Sequence, residues 1–269
     1  MKPLQPIFLF SVFILVIGMA CAAVTGGDNT PPTATEPVIQ TQEPVQVLPT
    51  DTEAPLEPTE AAVTELPATL PPVPTEGAST APQFFTEEFD SEDDLANWYN
   101  FNLGKGEDRN LVIKQEDDHL LFDLGDEDLY VYYMYTGQEY DDVSIKLNAE
   151  NRGRNNNNIS LVCRLNADQG QWYEFSVESG GVWYLYAVDE KYNRIANGGT
   201  NALKQGKEVN EYAMTCEGDE ITLYINGEEV KRVTDNTYGF NSGLVGFNIS
   251  SLNVLPITVA VNSFEISQP

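Results

Sequence analysis

The chain has 269 residues and a formal charge of −28 at pH 7, from 42 acidic side chains against 14 Lys and Arg. So acidic a surface repels phosphate backbones and anionic headgroups, which excludes nucleic acid as a partner and leaves a membrane only through a lipid anchor. One histidine, no Gly-x-Ser-x-Gly elbow and no Gly-rich loop opening a helix leave the serine-hydrolase, histidine-metal and nucleotide-binding motifs unfilled.

Lys2 is followed by an apolar run over residues 7–17 and then by Gly18-Met19-Ala20-Cys21. A basic start, a short apolar run and small residues before a Cys describe an export signal, because a membrane-spanning helix needs about 20 apolar residues. The stretch resembles a bacterial lipoprotein signal, in which the Cys becomes the lipidated N-terminus. Ala20 fits that pattern, and Gly18 and Met19 depart from it. Residues 1–21 are therefore expected to be a signal with lipidation at Cys21, holding the protein at the cell surface. Cleavage after Ala22, at Ala20-Cys21-Ala22, is the alternative and would give a secreted protein.

Residues 22–82 hold 12 Pro, 12 Thr and 9 acidic residues, with no Lys, Arg or aromatic side chain. Such a segment cannot bury enough apolar surface to offset the entropy of ordering it, so a disordered linker is predicted. It reads as a stalk, roughly 190 Å long if drawn out as polyproline II.

Residues 83–269 remain to fold, enough for one well-buried domain. Period-two alternation dominates them. Strands are predicted over 110–114, 119–123, 129–135, 143–149, 159–165, 172–177, 182–187, 211–216, 243–248 and 257–266. A hairpin is predicted over 221–233, turning at Asn226-Gly227, because Asn and Gly tolerate the positive φ of a type I′ turn. Residues 91–98 read as a helical turn. Cys163 and Cys216 form an even pair in an exported chain, and a disulfide is predicted between them, worth about 4 kcal/mol on the chain-entropy estimate. The fold class expected is all-β, an antiparallel sandwich of jelly-roll type preceded by the linker.

The succession "FTEEFDSEDDLANWYNF", "LVCRLNADQGQWYEFSVESGGVWYLY", "NEYAMTCEGDEITLYINGEEV" and "VTDNTYGFNSGLVGF" resembles the concanavalin A-like lectin/glucanase superfamily. The 3-keto-disaccharide hydrolase-like and laminin-G-like domains are the nearest branches. The resemblance implies a concanavalin A-like sandwich and leaves two functions open, a glycan-binding module or a glycoside-directed hydrolase. The superfamily's glucanases carry E-x-D-x-E on one strand, and Glu88-Phe89-Asp90-Ser91-Glu92 matches it literally. It falls where the domain begins, ahead of the concave sheet, so no catalytic residue is assigned. His119, in "QEDDHLLF", reads as a surface side chain.

Two loops, 102–110 and 233–243, group oxygen ligands with glycine as a calcium site would, and ordinary Asx turns share that composition. No other cofactor is expected. Alternation over 172–177 sends Tyr173, Phe175 and Val177 to the core and Trp172, Glu174 and Ser176 to the opposite face. On the preceding strand it sends Leu161, Cys163 and Leu165 inward and Arg164 to the Trp172 side. Tyr184 and Tyr186 are placed outward, since a buried Tyr hydroxyl needs a polar partner. The candidate ligand site is thus Trp172, Arg164, Glu174 and Tyr184, with rings to stack on a sugar and charges to bond its hydroxyls. The partner expected is a glycan or polysaccharide, and an outward Trp172 should be replaceable by Ala at little cost in stability. A structural or adhesive module without a small-molecule site is the remaining alternative.

Overall fold

The structure, a computed structural model, describes residues 70–72 and 82–269. The export signal, Cys21 and most of the linker lie outside the described residues. The chain enters through β1 (Phe85–Glu87), a 3-10 turn at Glu92–Asn97 and β2 (Trp98–Gly104). Three hairpin-like steps follow: β3 (Leu111–Glu116) and β4 (His119–Leu124), β5 (Leu129–Tyr140) and β6 (Val143–Asn151), then β7 (Asn157–Asn166) and β8 (Gln171–Glu178). Next come β9 (Val182–Val188), β10 (Tyr192–Gly199), β11 (Val209–Glu217), β12 (Glu220–Ile225) and β13 (Glu228–Thr234). The last two are β14 (Gly243–Ser251) and β15 (Ile257–Ser267).

These strands form two antiparallel sheets packed face to face. One runs β13-β12-β11-β6-β15-β4-β3, with β1 also paired to β15; the other runs β10-β9-β8-β7-β14-β5-β2. The all-β sandwich expected from alternation is therefore present. Asn226 and Gly227 adopt φ of 50° and 78°, the positive pair a two-residue turn demands. Asp117 and Asp118, at 52° and 60°, turn β3 into β4 in the same way. The sequence reading lacks β1, β2 and β10. The last is an edge strand rich in Asn and Gly, and it holds its place by pairing with β9 across a bulge near Ile195.

Between the sheets lies a core of Leu, Ile, Val and aromatic side chains from both layers. Trp98 stacks on Tyr133 at 5.2 Å and meets Phe264 edge-on at 5.4 Å. Phe89 is fully buried beside them in a left-handed conformation, φ 55°. Its backbone N–H donates to the Glu87 carboxylate; residues 88–91 lie outside any strand and Glu92 opens the 3-10 turn, so the E-x-D-x-E residues do not share one strand. Cys163 on β7 and Cys216 on β11 are joined, which ties one sheet to the other through the core.

Candidate functional site

The outer face of the seven-stranded sheet is built by the residues that alternate with the core. Register places them in continuous rows. One row runs Phe101, Tyr132, Asn248, Ser160, Ser176, Tyr184, Asn197 across all seven strands. Beside it runs Tyr99, Met134, Gly246, Val162, Glu174, Tyr186, Arg194. On the other side lie Leu103, Tyr130, Ser250, Asn158 and Glu178. Strands spaced about 4.8 Å apart make this face roughly 30 Å wide.

Glu174 sits near the middle and is almost fully buried. Tyr132 Oη donates to its Oε2 at 2.7 Å, and Trp172 Nε1 donates to the same oxygen at 3.0 Å. Tyr132 starts on β5, opposite Asn248 of β14, and reaches across β14 and β7 to Glu174 on β8. Tyr192 comes from β10, on the opposite flank, and its hydroxyl lies 2.5 Å from that of Tyr132. Since Tyr132 donates to Glu174, Tyr192 donates to Tyr132, giving a directed chain of hydrogen bonds that ends on the carboxylate. Burial pushes the Glu174 carboxyl above the usual carboxylate range, and the hydrogen bonds donated by Tyr132 and Trp172 oppose that rise. Burial also raises Tyr132 and Tyr192 well above the ordinary tyrosine value.

Rings surround this centre. Phe101 stacks on Tyr132 at 4.8 Å, Tyr132 meets Trp172 edge-on at 5.6 Å, and Tyr192 meets Tyr186 edge-on at 5.5 Å. Tyr184 stacks on Tyr186 at 5.7 Å, and both are half-buried. Next to the rings lies a polar patch. The β7 triplet Asn158-Ile159-Ser160 runs antiparallel to the β14 triplet Asn248-Ile249-Ser250, so each Asn faces a Ser. Ser160 donates to Ser176 at 3.0 Å. Both amide atoms of Asn248, the Ser250 hydroxyl and the Asn158 carbonyl oxygen are buried and have no hydrogen-bond partner.

Three of the four side chains expected here, Trp172, Glu174 and Tyr184, share this face. Two corrections apply. Trp172 is on the outer face but is 0 % exposed, because Tyr132 and Tyr192 close over it from the two flanks. Arg164 is elsewhere. It adopts φ 57° at a bulge where β7 carries one residue more than β8, so alternation breaks there. Its guanidinium turns to the end of the sandwich and donates to the carbonyls of Asp141, Gly218 and Phe240 at 2.8 to 2.9 Å. It also forms one wall of a cavity of about 200 Å³ lined by Asn166, Gln171, Tyr238 and Asn241. Leu165, expected in the core, takes the outer face and packs near Leu244. Gly243 is required opposite the bulge, since a Cβ there would lie 2.4 Å from the Leu165 carbonyl oxygen.

The loop at 233–243 is organised by Asp235, whose carboxylate accepts from the backbone N–H groups of Thr237, Tyr238 and Gly239 and from the Tyr173 hydroxyl. Burial would raise this carboxyl, but those donors outweigh it and hold it below the ordinary Asp range. This is the Asx-turn arrangement. His119 begins β4 in the other sheet, its ring against the Asp117 carbonyl in the turn.

Comparison with known proteins places this geometry. Residues 85–254 match the sequence model of the 3-keto-alpha-glucoside-1,2-lyase-like domain, more than half of the chain. No curated protein matches the chain in sequence. Among solved structures, a galectin-like-fold protein of unknown function from Bacillus subtilis is 13% identical, with a TM-score of 0.55 over 68% of this chain and 94% of its own. A β-glucanase from Bacillus licheniformis is 13% identical, with a TM-score of 0.53 over 71% of this chain and 100% of its own. A glycoside hydrolase family 16 endo-glucanase from Bacteroides ovatus is 8% identical, with a TM-score of 0.52 over 68% and 99%. At such identities the likeness is one of fold, the jelly-roll sandwich. The chain belongs to the 3-keto-alpha-glucoside-1,2-lyase-like family.

Proposed function

We propose that this family member is an exported protein, held at the cell surface by a lipid on Cys21 and a Thr-Pro stalk, whose outer sheet face binds a neutral glycan. The observation that carries the binding reading is the unsatisfied polar patch of Asn248, Ser250 and Asn158 between two groups of rings. A buried polar atom without a partner costs about 1–3 kcal/mol, and a polyhydroxylated ligand would relieve several such costs at once where the side chains over the patch move aside to admit it. Tyr184 and Tyr186 offer a ring surface for the apolar side of a sugar, as binding sites of this kind combine aromatic walls with a few polar groups. Glu174 and Glu178 on the same face, in a strongly acidic domain, favour an uncharged sugar over an acidic one.

The test is titration of neutral oligosaccharides against the full chain and Asn248→Ala. The Asn248 amide makes no hydrogen bond, so its removal should not lower the unfolding midpoint, while weakening binding at least tenfold. Unchanged affinity in Asn248→Ala, or no binding across a broad glycan array, would sink the reading.

A second reading, cleavage of a glycoside, is favoured by Glu174, a buried carboxyl with raised proton affinity of the kind a general acid uses. Glycosidases pair such a group with a second carboxylate about 5–9.5 Å away. The other carboxylate in these rows is Glu178, four residues along the same strand and so roughly 13 Å away along the backbone. Binding is therefore placed first. Release of product from a glycoside by the unaltered chain, abolished in Glu174→Gln, would reverse that order.

A further inference from the structure

The outer face has an apolar end as well as a polar patch. Phe101, Leu103, Tyr132, Met134, Trp172 and Leu244 are all at most 7 % exposed, although they point away from the core between the sheets. Leu70 packs on this cluster, from a point in the linker well before the first strand. It belongs to the same compact unit as the sandwich. Pro71 and Pro72 follow it and are exposed. A Leu-Pro-Pro triplet is stiff, starts close to polyproline II and loses little entropy on docking, which is how proline-rich segments bind aromatic-lined grooves. Thirteen residues from Pro72 to Phe85 can span at most roughly 45 Å, more than the width of the sheet, so the chain is long enough for Leu70 to lie on this face.

We infer that Leu70, Pro71 and Pro72 form an intramolecular ligand of the aromatic end of this face. The occupant is the chain's own linker, because Leu70 is the side chain seated there. It packs on the apolar cluster to which Trp172 and Tyr132 belong. A glycan therefore meets Tyr184, Tyr186 and the polar patch first, and must displace the triplet to reach the deeper rings. This second half rests on the glycan reading above; the docking of the triplet does not. A segment tethered this closely acts at an effective concentration in the millimolar range, so even a weak contact is occupied most of the time. A site free only one-tenth of the time shows a tenfold weaker apparent affinity.

Two measurements test the inference. In the first, a fluorescent peptide of residues 64–76 is titrated into the full chain and into the full chain carrying Leu70→Asp, with binding read by anisotropy. The peptide should bind the Leu70→Asp chain with a sub-millimolar Kd and the unaltered chain at least tenfold more weakly, since its groove is already filled. No binding to the Leu70→Asp chain, or equal binding to both, overturns the proposal. In the second, a neutral oligosaccharide is titrated into the same two chains, and Leu70→Asp should bind it about tenfold more tightly. Equal affinity overturns the proposal as well. If the peptide binds as expected and no oligosaccharide binds either chain, the docked triplet stands and it is the glycan reading that fails.

Discussion

The two sheets have outer faces of opposite character. On the eight-stranded sheet, β6 alternates strictly between buried and half-buried positions, and its outward side chains are Ser144, Lys146, Asn148 and Glu150. Lys146 pairs there with Glu265 at 3.3 Å, and Ser144 with Thr215 at 2.7 Å. That is the ordinary arrangement of an antiparallel sheet with one wet side. On the middle strands of the seven-stranded sheet, β5, β14, β7 and β8, the alternation of chemistry persists while the alternation of burial largely disappears. Every residue of β14 is buried, Asn248 and Ser250 included, and so is the whole of β8 except its two ends. Such a face keeps polar side chains, leaves some without partners and is nevertheless withdrawn from water, which is what supports the binding reading proposed above. Burial alone would have classed it as core.

The sharpest way to break this comparison is Trp172→Ala. If the outer face is packed as densely as the rows indicate, the loss should be about 3–5 kcal/mol, as for a core tryptophan, read from the denaturant midpoint. A loss below about 1 kcal/mol would put Trp172 in the class of an exposed surface residue. Arg164→Ala should come next, at about 2–4 kcal/mol, because three carbonyls from separate chain segments lose their donor and only the nearby cavity admits water to replace it. Its effect should fall on stability and not on any ligand affinity, the reverse of Asn248→Ala.

Glu174→Gln gives a smaller effect, read as a slope. The folded-state pKa of Glu174 is raised above the unfolded value, so its contribution is complete below the ordinary Glu range near pH 4.3 and declines as the pH rises through the folded pKa. Glu174→Gln should remove that decline, flattening stability against pH from about 4.3 upward. An unchanged slope would mean that the carboxyl is better solvated than its burial implies. Lys146→Ala on the other sheet should shift stability by no more than about 0.5 kcal/mol, being a half-exposed ion pair. A larger loss would blur the distinction between the two faces.

Much of the framework was legible because it rests on short-range chemistry. Alternation located most strands, Asn226-Gly227 marked its hairpin, and the two cysteines in strands of inward parity gave the disulfide. Arg164 was misplaced because parity was carried through it. The residue that takes the positive φ is neither Gly nor Asn, and an Arg in that conformation is uncommon. Leu165 was misplaced by the same single residue. Alternation did assign Trp172 and Glu174 to the correct face, but what lies over a face is decided by distant strands. Tyr132 is some 40 residues before Trp172 in the chain, and no periodicity within β8 anticipates it. The polar patch did leave a trace, the triplet Asn-Ile-Ser occurring at 158–160 and again at 248–250. Its meaning depends on β7 and β14 lying side by side, which no run of residues states.

The pairing of β1 with β15 sets Phe85 opposite Ile266, so the strands that begin and end the domain lie side by side. The mechanical consequence is a short circuit. A pull between residue 84 and residue 268 meets the few hydrogen bonds of one three-residue strand and the packing of Phe84 and Phe85 on Tyr140 and Tyr135, and the load bypasses most of both sheets. The domain then hangs as a pendant on the line of force rather than as a link within it. A load applied to the outer face of the seven-stranded sheet is different: it reaches β1 only through the core and the disulfide that joins β7 to β11.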